Sequence, residues 1–256
     1  MVAQAEYGLM ALVTGLYIYD SALLLYCNEA VLLPKGRDGW AVAFGSDKLQ
    51  LLGKELFVPN PLQLHRPLFR LAWRFEGEAG LARRAPADAR RDAAWSPLRN
   101  AYRGLAPLVW GMALALFVLL PLGLFTSLGE RMLLLALGLL YCSLILALGW
   151  LWLNRARLRI PARQLASLSF ECLVCAPFAL NLIRHLSAKA PVTEDLTRAA
   201  RRLQAPDDWR RTRQVLIARL DDEIECAEQG SERVALLRQH RQALAQEDPP
   251  CPAPNS

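Results

Sequence analysis

Hydrophobic and polar positions are segregated along this chain rather than mixed at helical period. Two runs, Leu105–Leu128 and Met132–Leu153, contain no charged residue, and only Gly129, Glu130 and Arg131 separate them. Each exceeds the roughly 20 residues that a helix needs to cross ~30 Å of hydrocarbon. The pair predicts a tight helical hairpin in a membrane. A third run, Gly8–Cys27, just crosses the same core at ~1.5 Å per residue, and it carries Asp20 near its middle. A fourth stretch, 163–186, is weaker. On a helix, Arg163, Ser167, Glu171, Asn181 and His185 fall on one side, and Leu165, Leu168, Cys172, Ala176, Ala179 and Ile183 lie mostly opposite. That pattern predicts an amphipathic helix in the interface or packed on a bundle, with a fourth membrane helix as the alternative. Pro177 predicts a kink in it.

Residues 28–75 read as strands. Trp40–Phe44 is short and apolar between Gly39 and Gly45, and Leu56–Val58 ends at Pro59–Asn60–Pro61, a turn signal. Phe69, Leu71, Trp73 and Phe75 alternate with Leu68, Arg70, Ala72 and Arg74, the period of a half-buried strand. Three to five short strands in a small antiparallel sheet are expected, a module too small to stand alone. Residues 76–104 read as a linker rich in Ala, Arg, Asp, Gly and Pro. Residues 206–246 read as a soluble helical tail. It starts at Pro206–Asp207–Asp208 and is interrupted at Gln229–Gly230–Ser231. Residues 247–256 read as a frayed end. The expected fold class is an α-helical integral membrane protein with three membrane helices, or four, with a small antiparallel β module in the first loop and a helical C-terminal tail.

Charge sets the expected orientation. Residues 34–103 hold 13 basic and 7 acidic side chains, residues 154–165 hold four arginines and no acid, and the hairpin turn holds one of each sign. With three spans, every basic segment falls on one side of the membrane. The positive-inside rule then places the N-terminus outside and the C-terminus in the cytoplasm. Trp110, Trp150 and Trp152 fit an aromatic belt, and Arg155, Arg157 and Arg159 fall where headgroup phosphates lie. The net charge of +6 is read as affinity for anionic lipid headgroups. Nucleic acid is not expected as a partner, because the tail beyond residue 183 carries 12 basic and 12 acidic residues. The preference for Arg over Lys, with much Ala and Leu, reads as the coding bias of a GC-rich bacterial genome, hence an inner membrane. The first apolar run lacks a basic n-region and is read as a retained anchor.

Asp20 is the sharpest single residue, since a mid-span carboxylate is costly unless neutral, paired or turned to a bundle interior. It reads as part of a proton or ion relay or a polar clasp, or as a protonated acid bonded to Tyr17 or backbone. Glu171, Asn181 and His185, with Arg163 and Arg184 nearby, form the densest polar set. An enzyme would use Glu171 or His185 as general base, whereas the plainer reading is a polar face against headgroups. Gly8, Gly15 and Ala22 recur every seven residues as a small-residue seam. Cys172 and Cys175 form a C-x-x-C in apolar surroundings, read as inert thiols. No disulfide framework, metal site or cofactor is expected. No resident nucleophile or nucleotide motif is present. The expected role is a polytopic inner-membrane scaffold or accessory protein that holds its β and helical parts at the membrane for a protein partner or another copy of itself. The alternative is a small membrane enzyme or transporter subunit using Asp20, or Glu171 with His185.

Overall fold

The computed structural model describes residues 2–36, 39–73, 95–127, 129–158, 160–190, 194–227 and 231–246. Most of the expected linker (76–94), Arg159 and the expected frayed end lie outside the described residues. The chain divides into two compact units, one of residues 1–23, 56–69 and 90–191, the other of residues 24–55, 70–89 and 192–256.

The first unit is helical. It contains α1 (Val2–Ser21), α2 (Trp95–Arg103), α3 (Ala106–Leu114), α4 (Leu120–Phe125), α5 (Gly129–Leu158), α6 (Ala162–Val174), α7 (Ala176–Ala179) and α8 (Leu182–Ala188). A π-helical turn, Ala115–Leu119, joins α3 to α4. Pro121 accounts for it: proline has no N–H and its ring crowds the carbonyl four residues back. The backbone widens instead, and the Leu120 N–H donates to the Ala115 carbonyl five residues away. With that turn the segment Arg99–Phe125 runs for 27 residues, and α5 for 30. Among the described residues these two helices are long and apolar enough to cross a membrane. They pack on each other through glycines. A Cβ on Gly111 would lie 2.8 Å from Ser143 Oγ, and one on Gly123 would lie 2.8 Å from Leu133 Cδ2. Val109, Met112, Leu140, Leu144 and Leu151 are buried in this unit.

Three expectations need correction here. Among the described residues the hairpin turn lies at Thr126 and Ser127, and Gly129–Arg131 open α5. Glu130 sits in the first turn, where the helix dipole favours an acid. The run Gly8–Cys27 is not one helix. Helix α1 stops at Ser21, whose Oγ donates back to the Ile18 carbonyl at 2.8 Å. Leu23–Leu25 is already a strand, and α1 is not one of the two long apolar helices. The stretch 163–186 is likewise three short helices. At Cys175 the backbone leaves helical geometry (φ −125°, ψ 89°) ahead of Pro177, so the proline breaks the helix rather than kinking it. No piece of that stretch has the length of a span.

The second unit holds most of the β structure and the tail. The strands are β1 (Leu23–Leu25), β2 (Glu29–Lys35), β3 (Gly39–Ala43), β4 (Ser46–Leu51), β5 (Lys54–Phe57) and β6 (Phe69–Ala72). They form two three-stranded sheets, ordered β1–β5–β4 and β3–β2–β6. Strands β2 and β3 are antiparallel, with Val31 opposite Ala43 and Lys35 opposite Gly39. The strand turn β4–β5 is Leu52–Gly53, with φ of +52° and +73°. Among the described residues there are thus six strands, more than the three to five expected, and the module begins earlier than residue 28.

The tail consists of α9 (Leu196–Leu203), α10 (Pro206–Cys226) and α11 (Glu232–Gln246). Asp195 caps α9, accepting from the Thr197 and Arg198 N–H groups at 2.8 and 3.2 Å. Helix α10 begins with Pro206 and carries Asp207 and Asp208 in its first turn, as the sequence predicts. Trp209, Leu216 and Leu220 from α10 and Val234, Leu237 and Leu244 from α11 are buried. The module and the tail are one unit. Lys35 on β2 donates to Asp208 at 2.6 Å, and Arg219 on α10 grips Glu55 on β5 with two bonds of 2.7 and 2.8 Å.

Candidate functional site

Asp20 lies in the last turn of α1, and the break around Pro177 turns the chain back so that Asn181 and His185 face it. His185 Nε2 lies 2.9 Å from Asp20 Oδ2. Asn181 Nδ2 donates to the same carboxylate at 3.0 Å and to the Tyr17 carbonyl at 3.1 Å. Asn181 stands at the N-cap of α8 yet makes no capping bond with its side chain. Its amide is turned to α1 instead. Arg184, one turn further along, donates Nη1 to Asn181 Oδ1 at 3.1 Å and Nη2 to the Asn60 carbonyl at 2.7 Å. Tyr17, one turn before Asp20, donates its hydroxyl to the Pro61 carbonyl at 2.5 Å. Asn181, Arg184 and Tyr17 are buried.

The result is a continuous polar network that ties α1, the 60–61 turn and α8 together inside an apolar unit. Burying a guanidinium costs several kcal/mol unless its protons are matched. Here the Asn181 and Asn60 oxygens and, at 3.5 Å, the Tyr17 hydroxyl receive it, while its Nε finds no partner among the described residues. The Arg184 charge reaches Asp20 through Asn181 rather than by direct contact. Chemically the arrangement can hold a carboxylate, orient an imidazole against it, and pass a proton between them. Groups of three or more His, Cys, Asp or Glu placed to hold a metal ion are absent among the described residues.

Two of the candidate residues, Asp20 and His185, therefore meet although 165 positions separate them. Glu171 does not join them. It accepts from Ser167 at 2.9 Å on the exposed side of α6, where it helps line an open pocket of about 370 Å³ with Arg163, Gln164 and Lys189. Cys172 is a buried free thiol and Cys175 a half-buried one. Among the described residues the Gly8–Gly15–Ala22 seam seats no neighbour. A Cβ at Gly8 or Gly15 would meet nothing within 4 Å, and Ala22 lies past the helix end.

The aromatic and basic set gathers at the open end of the hairpin. Trp110 and Trp152 are exposed, and the Arg155 guanidinium lies 5.6 Å from the centre of the Trp152 ring. Trp150 is held by its neighbours: a Cβ on Gly104 would lie 3.3 Å from it, and Asn154 Nδ2 donates to its carbonyl at 2.9 Å. Arg155 and Arg157 occupy the last turn of α5, where the helix dipole favours cations.

Sequence reasoning missed two features. The 60–61 turn was legible as a turn, but nothing in it signals that its carbonyls receive Tyr17 and Arg184. The Arg219–Glu55 pair carries no local signal at all. Arg219 also reaches the carbonyls of Cys27 and Gly45 at 3.3 and 3.1 Å and lies 4.7 Å from the centre of the Phe44 ring. No family model, curated protein or solved structure matches the chain.

Proposed function

We propose that this chain is a polytopic bacterial inner-membrane scaffold or accessory protein. Its apolar hairpin anchors it, and its β and helical parts are held at the membrane for a protein partner or a second copy. One observation carries the membrane reading: only 33% of the apolar stretch in each long helix is buried within the protein. A soluble core helix would be mostly covered. Here Leu134, Leu135, Ile145, Leu146 and Leu153 are all exposed, and contiguous exposed apolar surface marks a membrane or interaction face. Anionic headgroups meet Arg155 and Arg157 beside Trp152, with roughly 1 kcal/mol from each well-placed cation. The scaffold role draws on the compact β and tail unit, whose ion pairs and caps look structural throughout. The orientation read from the charge distribution puts the C-terminus in the cytoplasm and, with α1 crossing as well, the N-terminus outside.

Alkaline carbonate extraction tests the anchor. The chain is expected to stay in the membrane pellet and to leave it only with detergent. Release by carbonate alone would remove the membrane reading.

A second reading has its own observation, the 2.9 Å contact of His185 with Asp20. In it the pair moves protons as part of a small membrane enzyme or transporter subunit. Reconstituted vesicles loaded with a pH-sensitive dye separate the two. Proton flux that Asp20→Asn abolishes, with insertion unchanged, favours the second reading. Vesicles no leakier than protein-free ones leave Asp20 as a clasp between helices.

A further inference from the structure

The β4–β5 hairpin ends in an unusual turn. Its two central residues, Leu52 and Gly53, both lie in the left-handed region, at φ +52° and +73°. Two-residue turns of this kind normally take Asn, Asp or Gly at both places, because a side chain with a β-carbon is strained there. Leu52 is the only non-glycine residue with positive φ among the described residues. It gains nothing from packing in return, being 91% exposed. A strained backbone position unexplained by burial points to a role outside the fold.

Its neighbours share the feature. Leu49 and Leu51 project from one face of β4 and are 58% and 57% exposed. Strand β4 is the outer strand of its sheet, so it also presents an unpaired backbone edge among the described residues. The charges flanking the tip are cations: Lys48 on β4 and Lys54 on β5. The acid of this strand, Asp47, sits at the opposite end beside Arg219, 3.6 Å from it. Leucines at the apex with cations behind them match a bilayer surface, where the side chains enter the acyl boundary and ammonium groups meet lipid phosphates. Pairing with another strand fits less well. It would use the length of β4, which carries charge at Asp47 and Lys48, a usual deterrent to edge pairing, and it would leave Leu52 uncovered.

We infer that the Leu49–Lys54 hairpin tip is a membrane-contacting finger that dips Leu52, with Leu49 and Leu51, into an anionic lipid surface. This rests on the membrane reading above, which keeps the tip tethered near a bilayer.

The test uses the full chain in lipid nanodiscs, with the six native cysteines replaced by alanine and one polarity-sensitive fluorophore placed by Leu52→Cys or, separately, by Leu135→Cys on the outward face of α5. Both labels are expected to shift to the blue and to be quenched by nitroxide-bearing lipid. The Leu52 signal should also grow when phosphatidylglycerol is added to phosphatidylcholine. A Leu135 label in lipid with a Leu52 label in water overturns the finger and leaves the anchor standing. A Leu135 label in water overturns both. Dimer-dependent quenching of Leu52, insensitive to lipid, assigns the tip to a second copy and also overturns the finger. Trypsin on the unaltered protein gives an independent measure. Cleavage after Lys48 and Lys54 is expected to be roughly tenfold or more slower in nanodiscs with anionic lipid than in neutral ones, the contribution of two cations at a charged surface. Equal rates in both would count against it.

Discussion

Arg219 shows how a single side chain can hold a fold together. Its side chain and that of Glu55 are only 11% and 10% exposed, so the pair is nearly dehydrated. Both guanidinium nitrogens that reach Glu55 also reach backbone carbonyls. Removing one partner strands a charge in low dielectric, which costs about 3–5 kcal/mol. Replacing both with apolar groups leaves no buried charge behind, because Asp47, the other acid near Arg219, is 87% exposed. Arg219→Met is therefore expected to lower the thermal stability of the detergent-solubilised protein sharply, and the double variant with Glu55→Met to recover much of the loss. Additive losses in the two single variants would mean that the charges act independently. Gly45 belongs to the same pocket, since a Cβ there would fall 2.4 Å from Glu55 Cβ. Gly45→Ala should displace the strand that carries Glu55.

His65 makes a prediction in pH. Its ring lies 6.0 Å from that of Trp110, and its Nδ1 is buried without a partner among the described residues. Burial first, and then the charges of Arg66, Arg103 and Arg184, push its pKa below the ordinary histidine range. The folded state thus prefers the neutral ring, whereas the unfolded chain takes up a proton near pH 6.5. Stability from this group is intact above that pH and is lost as pH falls below it toward the depressed folded value. Melting curves between about pH 7 and pH 5 should show the loss, and His65→Phe should flatten it. An unchanged slope in that variant would place the acid sensitivity elsewhere.

At the level of elements, proline and glycine decide where helices end, bend and touch. Pro121 produces the π turn within the first long helix, Pro177 follows the break at Cys175, and Gly111 and Gly123 let α5 approach. The contact at Gly123 is the tightest of these, with Leu133 side-chain carbons at 2.8 and 2.9 Å and its backbone nitrogen at 3.0 Å. Side-chain motion cannot relieve a backbone clash, so Gly123→Leu is expected to force the two helices apart. A disulfide between cysteines introduced at Gly111 and Ser143, which forms readily when Cβ atoms are near 4 Å, should be lost when Gly123→Leu is added. Retention of that crosslink would show that the hairpin yields locally. The same residues explain what was legible. Uncharged runs of more than 20 residues advertise the hairpin because their signal is local and cumulative. The α10 start was readable from Pro206, Asp207 and Asp208 for the same reason. The end of α1 was not, because Leu23–Leu25 is as apolar as the helix before it, and only pairing with β5 makes it a strand. Asp20 and His185 were each conspicuous as charged or titratable residues beside apolar runs. Their meeting depends on the fold-back at Cys175, which periodicity cannot express.

For the whole molecule, the proposed sidedness rests on where the cations are. The three segments 34–103, 154–165 and 184–202 are the basic ones, and the turn between the two long helices is nearly neutral. In the proposed orientation, a bilayer with a cytoplasmic excess of anionic lipid and a potential negative inside would hold such segments on the cytoplasmic face. The hairpin alone satisfies this, since both its flanks are basic and its turn is not. The proposed orientation of the hairpin therefore does not depend on α1, which falls outside the two long apolar helices. What α1 decides is the other terminus. If Val2–Ser21 crosses, the N-terminus lies outside. If it lies along the surface, held through Asp20 and Tyr17 to α8, the N-terminus stays with the basic flanks. Reporter fusions resolve the two. A periplasmically active phosphatase inserted after Ser127 is expected to be active, and the same enzyme fused after Gln246 inactive, with a cytoplasmically fluorescent protein giving the reverse pattern. With those two fixed, a phosphatase fused ahead of Val2 should be active for a crossing α1 and silent for a surface-bound one. Activity after Gln246 would export the arginine-rich segments and overturn the orientation itself.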